Sequence, residues 1–337
     1  MTLQSLTPVP AKPELVCPAG SLRALQLAVD AGADAVYLGL KDATNARNFA
    51  GLNFDDAQVR DGVAYAHARG AKVLMALNTF ADARDIGPWQ RAVDTAVAMG
   101  ADALIVADTA VMAYCRDQHP ALRLHLSVQA SATSYEAIEF YRERYAIQRA
   151  VLPRVLTMSQ VGHVIRHTPV DIEVFGFGSL CVMVEGRCAL SSYVTGQSPN
   201  TAGVCSPPSA VRWQDTPTGV ESRLNGVLID RYAADEPRGY PTLCKGRFRT
   251  ERSEGYLFEE PVSLDALELL PELQRAGVSA LKIEGRQRGR AYVEQVVRRF
   301  RSAIDGLGDA DRAPGGDLTT MSEGQAMTTG AYRKRWR

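Results

Sequence analysis

The chain has 337 residues, 46% of them hydrophobic, which is long enough for one large α/β barrel or for two ordinary domains. Thirty-eight basic and 38 acidic residues cancel to a net charge of zero, so no global field draws the protein to nucleic acid or to anionic lipid. The N-terminus has no basic segment followed by an apolar one, and no apolar run reaches spanning length. A signal peptide and a membrane span are therefore not expected, and the expected location is the cytoplasm.

Residues 1–13 contain Pro8, Pro10 and Pro13 without periodicity and read as a mobile arm. From there a unit recurs: an amphipathic helical stretch, a glycine, then a short continuous apolar run. Gly32, Gly70, Gly100 and Gly277 each stand where a helix C-cap requires a left-handed residue. The apolar runs do not alternate, as expected of parallel strands covered on both faces. Helix starts are marked by Ser21, by Asp55 or Asp56, by Pro88, by Ser134 and by Ser263 ahead of Leu264, Leu267, Leu270 and Leu273. Strands are predicted near residues 15, 37, 74, 105, 125, 151, 174 and 281, with helices between nearly all of them. Eight such units predict a (β/α)8 TIM-type barrel over residues 14–305. A doubly wound sheet is disfavoured, because no G-x-G-x-x-G follows the first strand.

The regular spacing breaks after strand seven, where residues 178–262 form an insertion expected to roof the barrel mouth. It holds Cys181, Cys188, Cys205 and Cys244 in the pattern C-x6-C-x16-C-x38-C, each on a stretch rich in glycine or proline. Thiols on loops of this kind point to ligands delivered to one place, since thiolate is a strong donor to soft metals. Zinc sites usually recruit pairs through C-x2-4-C, which is missing here. The spacing weakens zinc without establishing iron–sulfur, whose ligands also come from separate loops. Disulfides and scattered thiols are the competing readings, and disulfides suit an exported protein better than this one. Residues 306–337 read as a linker with Pro314-Gly315-Gly316 and a tail whose Tyr332 and Trp336 dock onto the domain or a partner.

Polar residues just beyond strand ends build the mouth of such a barrel. They are Asn45, Arg47, Asn78, Asp108, Gln129, Arg154, Lys282, Glu284 and Arg286. Arg47, Arg154 and Arg286 are the catalytic-site candidates, because a guanidinium fork suits a carboxylate. Asp108 is also placed to cap a helix. Proteolytic signatures are missing: the five histidines never form His-Glu-x-x-His, and there is no Gly-x-Ser-x-Gly. His125 falls inside a strand and reads as a core or barrel-lining histidine. Cys17, just past strand one, reads as a buried thiol, with a nucleophile as the competing reading, and Cys115 on its apolar helical stretch reads as core.

Several blocks carry a resemblance. They are Cys17-Pro18-Ala19-Gly20, Tyr37-Leu38-Gly39-Leu40-Lys41-Asp42-Ala43-Thr44-Asn45-Ala46-Arg47, Leu126-Ser127-Val128-Gln129-Ala130-Ser131 and Gly178-Ser179-Leu180-Cys181. Glu185-Gly186-Arg187-Cys188, Tyr240-Pro241-Thr242-Leu243-Cys244-Lys245-Gly246-Arg247 and Lys282-Ile283-Glu284-Gly285-Arg286 complete the set. With them the chain resembles the collagenase-like, unknown-type peptidase family over about residues 14–305 and the tail, and within it the ubiquinone-biosynthesis branch. The resemblance implies one [4Fe-4S] cluster on Cys181, Cys188, Cys205 and Cys244. It also implies a heterodimer with a UbiV-like sister protein and a part in oxygen-independent hydroxylation of a prenylated quinone precursor. Relatives hydroxylate RNA bases, with prephenate implicated as an oxygen source in that branch. The peptidase label is historical for this subgroup. The chain ends without the extra C-terminal domain of long family members, which leads to the expectation of the ubiquinone branch rather than the RNA-modifying one. RNA-base hydroxylation and a non-catalytic partner or assembly role remain the alternatives.

Overall fold

The computed structural model describes residues 10–48, 51–185, 188–199, 205–309 and 317–334. Most of the expected arm, the Pro314-Gly315-Gly316 linker, Gly186, Arg187 and Trp336 lie outside the described residues. Eight parallel strands close into a barrel: β1 (Glu14–Pro18), β2 (Ala35–Leu38), β3 (Lys72–Leu77), β4 (Ala103–Val106), β5 (Arg123–Leu126), β6 (Arg149–Val151), β7 (Asp171–Ser179) and β14 (Ala280–Ile283). Each pairs with its sequence neighbour, and β14 pairs with both β1 and β7. The expected (β/α)8 barrel is therefore present.

The helices between these strands are α1 (Leu22–Asp30), α2 (Asp56–His67), α3 (Gly87–Ala98), α4 (Thr109–Gln118), α5 (Tyr135–Tyr145) and α6 (Met158–His167). Ser21 and Ser134 cap α1 and α5 by accepting backbone N–H groups, and Asp55 forms a reciprocal capping box with Gln58 on α2. Strand residues alternate between two cores. Leu15, Cys17, Val36, Leu38, Leu104, Leu126 and Leu281 face the helices, while Val16, Tyr37, Leu74, Ala76, Ile105 and Ala280 form a second apolar cluster inside the barrel. The final helix α9 (Arg290–Asp305) buries Val293, Val296, Val297, Phe300 and Ile304. Each such side chain contributes about 1.5–3 kcal/mol of burial.

One helix start differs from the sequence reading. Ser263 does not cap a helix; Ser263–Asp265 is strand β13, which pairs antiparallel with the far end of β7. Helix α8 (Leu270–Ala276) begins later, with Pro271 in its first turn. The leucine spacing of three is satisfied by a 3₁₀ turn at Leu267–Leu269, whose period is three. β7 overshoots the barrel, and its unpaired end captures the segment that the leucine pattern assigns to helix.

The insertion carries helix α7 (Leu190–Thr195), a three-stranded antiparallel sheet of β8 (Val211–Thr216), β9 (Gly219–Leu224) and β10 (Val227–Tyr232), and the hairpin β11 (Arg247–Arg249) with β12 (Glu254–Tyr256). The tail returns to the barrel. β15 (Met327–Thr328) pairs with β13, and the Tyr332 hydroxyl donates to the Phe175 carbonyl at 2.8 Å. Of the arm, Pro10 accepts from Gln274 and Lys12 donates to the Asp305 carbonyl. No helix among the described residues is long and apolar enough to cross a membrane.

Candidate functional site at the barrel mouth

The C-terminal ends of the strands bring the three candidate arginines into one electrostatic neighbourhood. Arg154 follows β6, and its Nη1 and Nη2 lie 3.1 Å from Glu185 Oε1 and 3.1 Å from Glu284 Oε2. Its guanidinium covers the Phe175 ring at 3.8 Å from the centroid. Arg286, beyond β14, is buried and donates to Asn45 Oδ1 at 2.8 Å. Among the described residues no carboxylate forms an ion pair with it. Burial therefore pulls its pKa down to about 10, with the Tyr37 hydroxyl opposing and the Arg47 charge adding to the fall. Arg47 is half-buried, and its charge is felt by Glu284, Arg286, Tyr37 and Cys205. Burial alone would raise Glu284, but Arg154 and Arg47 outweigh it and hold that carboxyl below its ordinary range.

Backbone geometry permits this crowding at two glycines. Gly178 has φ +135°, and a Cβ there would fall 2.6 Å from Glu284 Cβ. A Cβ on Gly20 would fall 1.9 Å from the Arg286 carbonyl oxygen. The Cys17-Pro18-Ala19-Gly20 block is thus a close-packing device under Arg286. Its Cys17 faces the helices, fully buried, with burial raising the thiol well above its ordinary pKa. Cys115 is likewise core, pushed up to about 12 by burial.

The four insertion cysteines come from separate stretches. Cys181 follows β7, Cys188 precedes α7, Cys205 precedes Ser206-Pro207, and Cys244 lies in a 3₁₀ turn at Leu243–Lys245, 3.6 Å from Thr242 Oγ1. All are thiols. Cys205 feels the charges of Cys244 and Cys188, Cys181 feels that of Cys205, and burial raises Cys181, Cys205 and Cys244 above the ordinary thiol range. Cys205 also feels Arg47 and Glu284, so the thiol set adjoins the arginine cluster. Among the described residues no three His, Cys, Asp or Glu side chains converge tightly enough to share a single metal ion.

The remaining sequence candidates divide by role. Asn45 and Asn78 hold the loop after β2, accepting from Arg47 N at 3.0 Å and Ala46 N at 3.1 Å. Asp108 caps α4 and also accepts from Ala81 N. Gln129 is buried in a 3₁₀ turn after β5, with no hydrogen-bond partner for Oε1 among the described residues. Lys282 points into the barrel, 2.7 Å from Glu173 Oε1 and beneath the Tyr37 ring. Glu173, Arg149, Glu14 and Lys72 continue that network to the barrel floor. His125 lines the same interior, where burial first, then Arg149 and Arg123, keep it neutral far below its ordinary value. Sequence reasoning passed over Glu185 and Phe175. The former lay in the quoted Glu185-Gly186-Arg187-Cys188 block, but a single acid beside a cysteine carries no distinguishing spacing.

Comparison with known proteins adds three findings. The model of the family named Peptidase family U32 matches residues 20–333. An uncharacterized protease of Methanocaldococcus jannaschii is 33% identical over 301 residues, covering 88% of this chain and 66% of that protein. The tRNA hydroxylation protein P1 of Bacillus subtilis is 29% identical over 294 residues (87% and 63%), and tRNA hydroxylation protein P of Escherichia coli is 30% identical over 315 residues (87% and 68%). The chain spans about two thirds of the length of these relatives.

Proposed function

We propose, since the chain belongs to peptidase family U32, that it is a UbiU-like iron–sulfur subunit of an oxygen-independent hydroxylase acting on a prenylated aromatic quinone precursor with a UbiV-like partner. The observation that carries the reading is that Cys181, Cys188, Cys205 and Cys244, delivered by separate stretches of the insertion, adjoin a cluster of arginines at the barrel mouth. Cys181, Cys188, Cys205 and Cys244 would hold a [4Fe-4S] cluster. Four thiolates complete the protein ligation of such a cluster, and bound iron would offset the cost of ionising half-buried thiols. Such a cluster supplies electron transfer or polarises an oxygen donor.

The chain's own residues would bind and orient the reactants. Arg286 is a buried cation without a carboxylate partner among the described residues, and a buried charge of that kind is normally matched. Together with Arg47 it suits an anionic oxygen group, whether the carboxylate of an oxygen donor such as prephenate or a phenolate. Tyr37 supplies the aromatic floor of the mouth and donates its hydroxyl proton to the Ile283 carbonyl at 2.9 Å. Peptidase activity is disfavoured despite the family's name, because both core thiols are buried and neither His-Glu-x-x-His nor Gly-x-Ser-x-Gly occurs in the sequence.

The names of the Bacillus subtilis and Escherichia coli relatives favour a second reading, hydroxylation of an RNA base. Zero net charge weighs against it, since phosphate binding draws on a basic surface. Deleting the gene and growing cells without oxygen separates the two. The proposal expects loss of ubiquinone with hydroxylated tRNA and rRNA nucleosides retained, and unchanged quinone in air. Normal anaerobic quinone with missing hydroxynucleosides would replace it by the RNA reading.

A further inference from the structure

We infer that Arg154 is a positioning residue that straps the Cys181–Cys188 loop onto the barrel, and that it does not bind substrate. Nη2 of its guanidinium donates to Glu284 Oε2 at 3.1 Å, Nη1 is ion-paired with Glu185 Oε1 at 3.1 Å outside hydrogen-bond alignment, and one flat face is covered by Phe175. Its side chain is 7% exposed. A guanidinium held in this way offers no open fork to a ligand.

The two carboxylates belong to different parts of the fold. Glu185 lies within the loop that runs from Cys181 to Cys188, whereas Glu284 follows β14 and is tied to β7 by its backbone N–H, which donates to Phe177 O at 2.8 Å. Arg154 itself comes from the loop after β6. One side chain therefore joins the ends of β6 and β14 to the cysteine loop. A second hold acts on the loop backbone: Ser131 Oγ donates to the Glu185 carbonyl at 2.6 Å. The tail completes the support from below, through Tyr332 on the Phe175 carbonyl. Without Arg154, Glu185 and Glu284 would be left as neighbouring half-buried carboxylates, an arrangement relieved by moving the loop outward.

The strap stands on geometry alone; its relevance to a cluster rests on the function proposed above. The test uses the full chain, purified anaerobically, before and after iron removal. Iodoacetamide labelling read by mass spectrometry should accelerate about tenfold or more at Cys181 and Cys188 in the iron-free Arg154→Met protein, because local opening governs access to half-buried groups. Cys17 and Cys115 should stay protected. Arg154→Lys, which keeps the charge but loses the fork, should fall between. Should Arg154→Met fail to fold, Glu185→Gln breaks the same ion pair without changing size, and it should raise labelling at the same two thiols. Wild-type labelling rates in a folded variant would overturn the strap. The iron and sulfide content of the wild type is a separate readout: absence of both with Arg154-dependent labelling removes the cluster and keeps the strap.

Discussion

Replacing Arg47 with alanine is expected to lower anaerobic quinone formation by about one to two decades, the cost of one charge-assisted hydrogen bond of roughly 1.5–3 kcal/mol. Folded protein and iron content should stay at wild-type levels. The loop that carries Arg47 is held by other groups. Asn45 and Asn78 accept from Arg47 N and Ala46 N, Asn53 donates to the Arg47 carbonyl at 2.7 Å, and Asp42 accepts from Thr44. Asp55 is engaged with Lys41 at 3.3 Å. The Arg47 charge acts on Glu284, Arg286 and Cys205. Arg47→Lys should recover activity in part, because the charge survives and the fork does not. A stably folded Arg47→Ala protein with full anaerobic quinone output would remove the residue from the site. Activity falling in step with melting temperature would assign it to loop structure.

The largest stability effect is expected at the junction of insertion and tail. Lys245 Nζ lies 2.5 Å from Glu323 Oε2, and their side chains are 4% and 6% exposed. Removing one partner strands the other charge in the interior, at a cost of about 3–5 kcal/mol. Glu323→Leu should therefore shift the urea midpoint strongly downward. The double change Lys245→Met with Glu323→Leu should recover most of the loss, since neither charge is then left behind. Lys245 adjoins Cys244, and the Glu323 N–H bonds to Ser263 Oγ at 2.8 Å. The pair thus clamps the tail against the segment bearing the last cysteine. Equal destabilisation in the single and double variants would show that packing, not charge, holds this junction.

How much of this was legible beforehand follows from the range of the signals involved. β2, β3, β4 and β14 were readable because each is a short apolar run behind a capping glycine, Gly32, Gly70, Gly100 and Gly277, and Ser21, Asp55 and Ser134 mark helix starts by purely local chemistry. Ser263 misled because its conformation is decided by pairing with Ser179, a partner 84 positions away (263 − 179) that no local pattern announces. The mouth arginines were found from their place after strand ends. Which of them is committed to carboxylates was not, since Glu185 and Glu284 reach Arg154 only through the closed barrel. The interior network of Glu14, Arg149, Glu173 and Lys282 was hidden for the same reason: its members stand on four different strands.

The central claim, a [4Fe-4S] cluster on the insertion cysteines, is tested most directly by iron and acid-labile sulfide assays on anaerobically purified protein. The account predicts about four iron and four sulfide per chain, lost on changing Cys181, Cys188, Cys205 or Cys244 to alanine and kept in Cys115→Ala. Stoichiometric zinc without sulfide, or iron binding indifferent to those four changes, would contradict it.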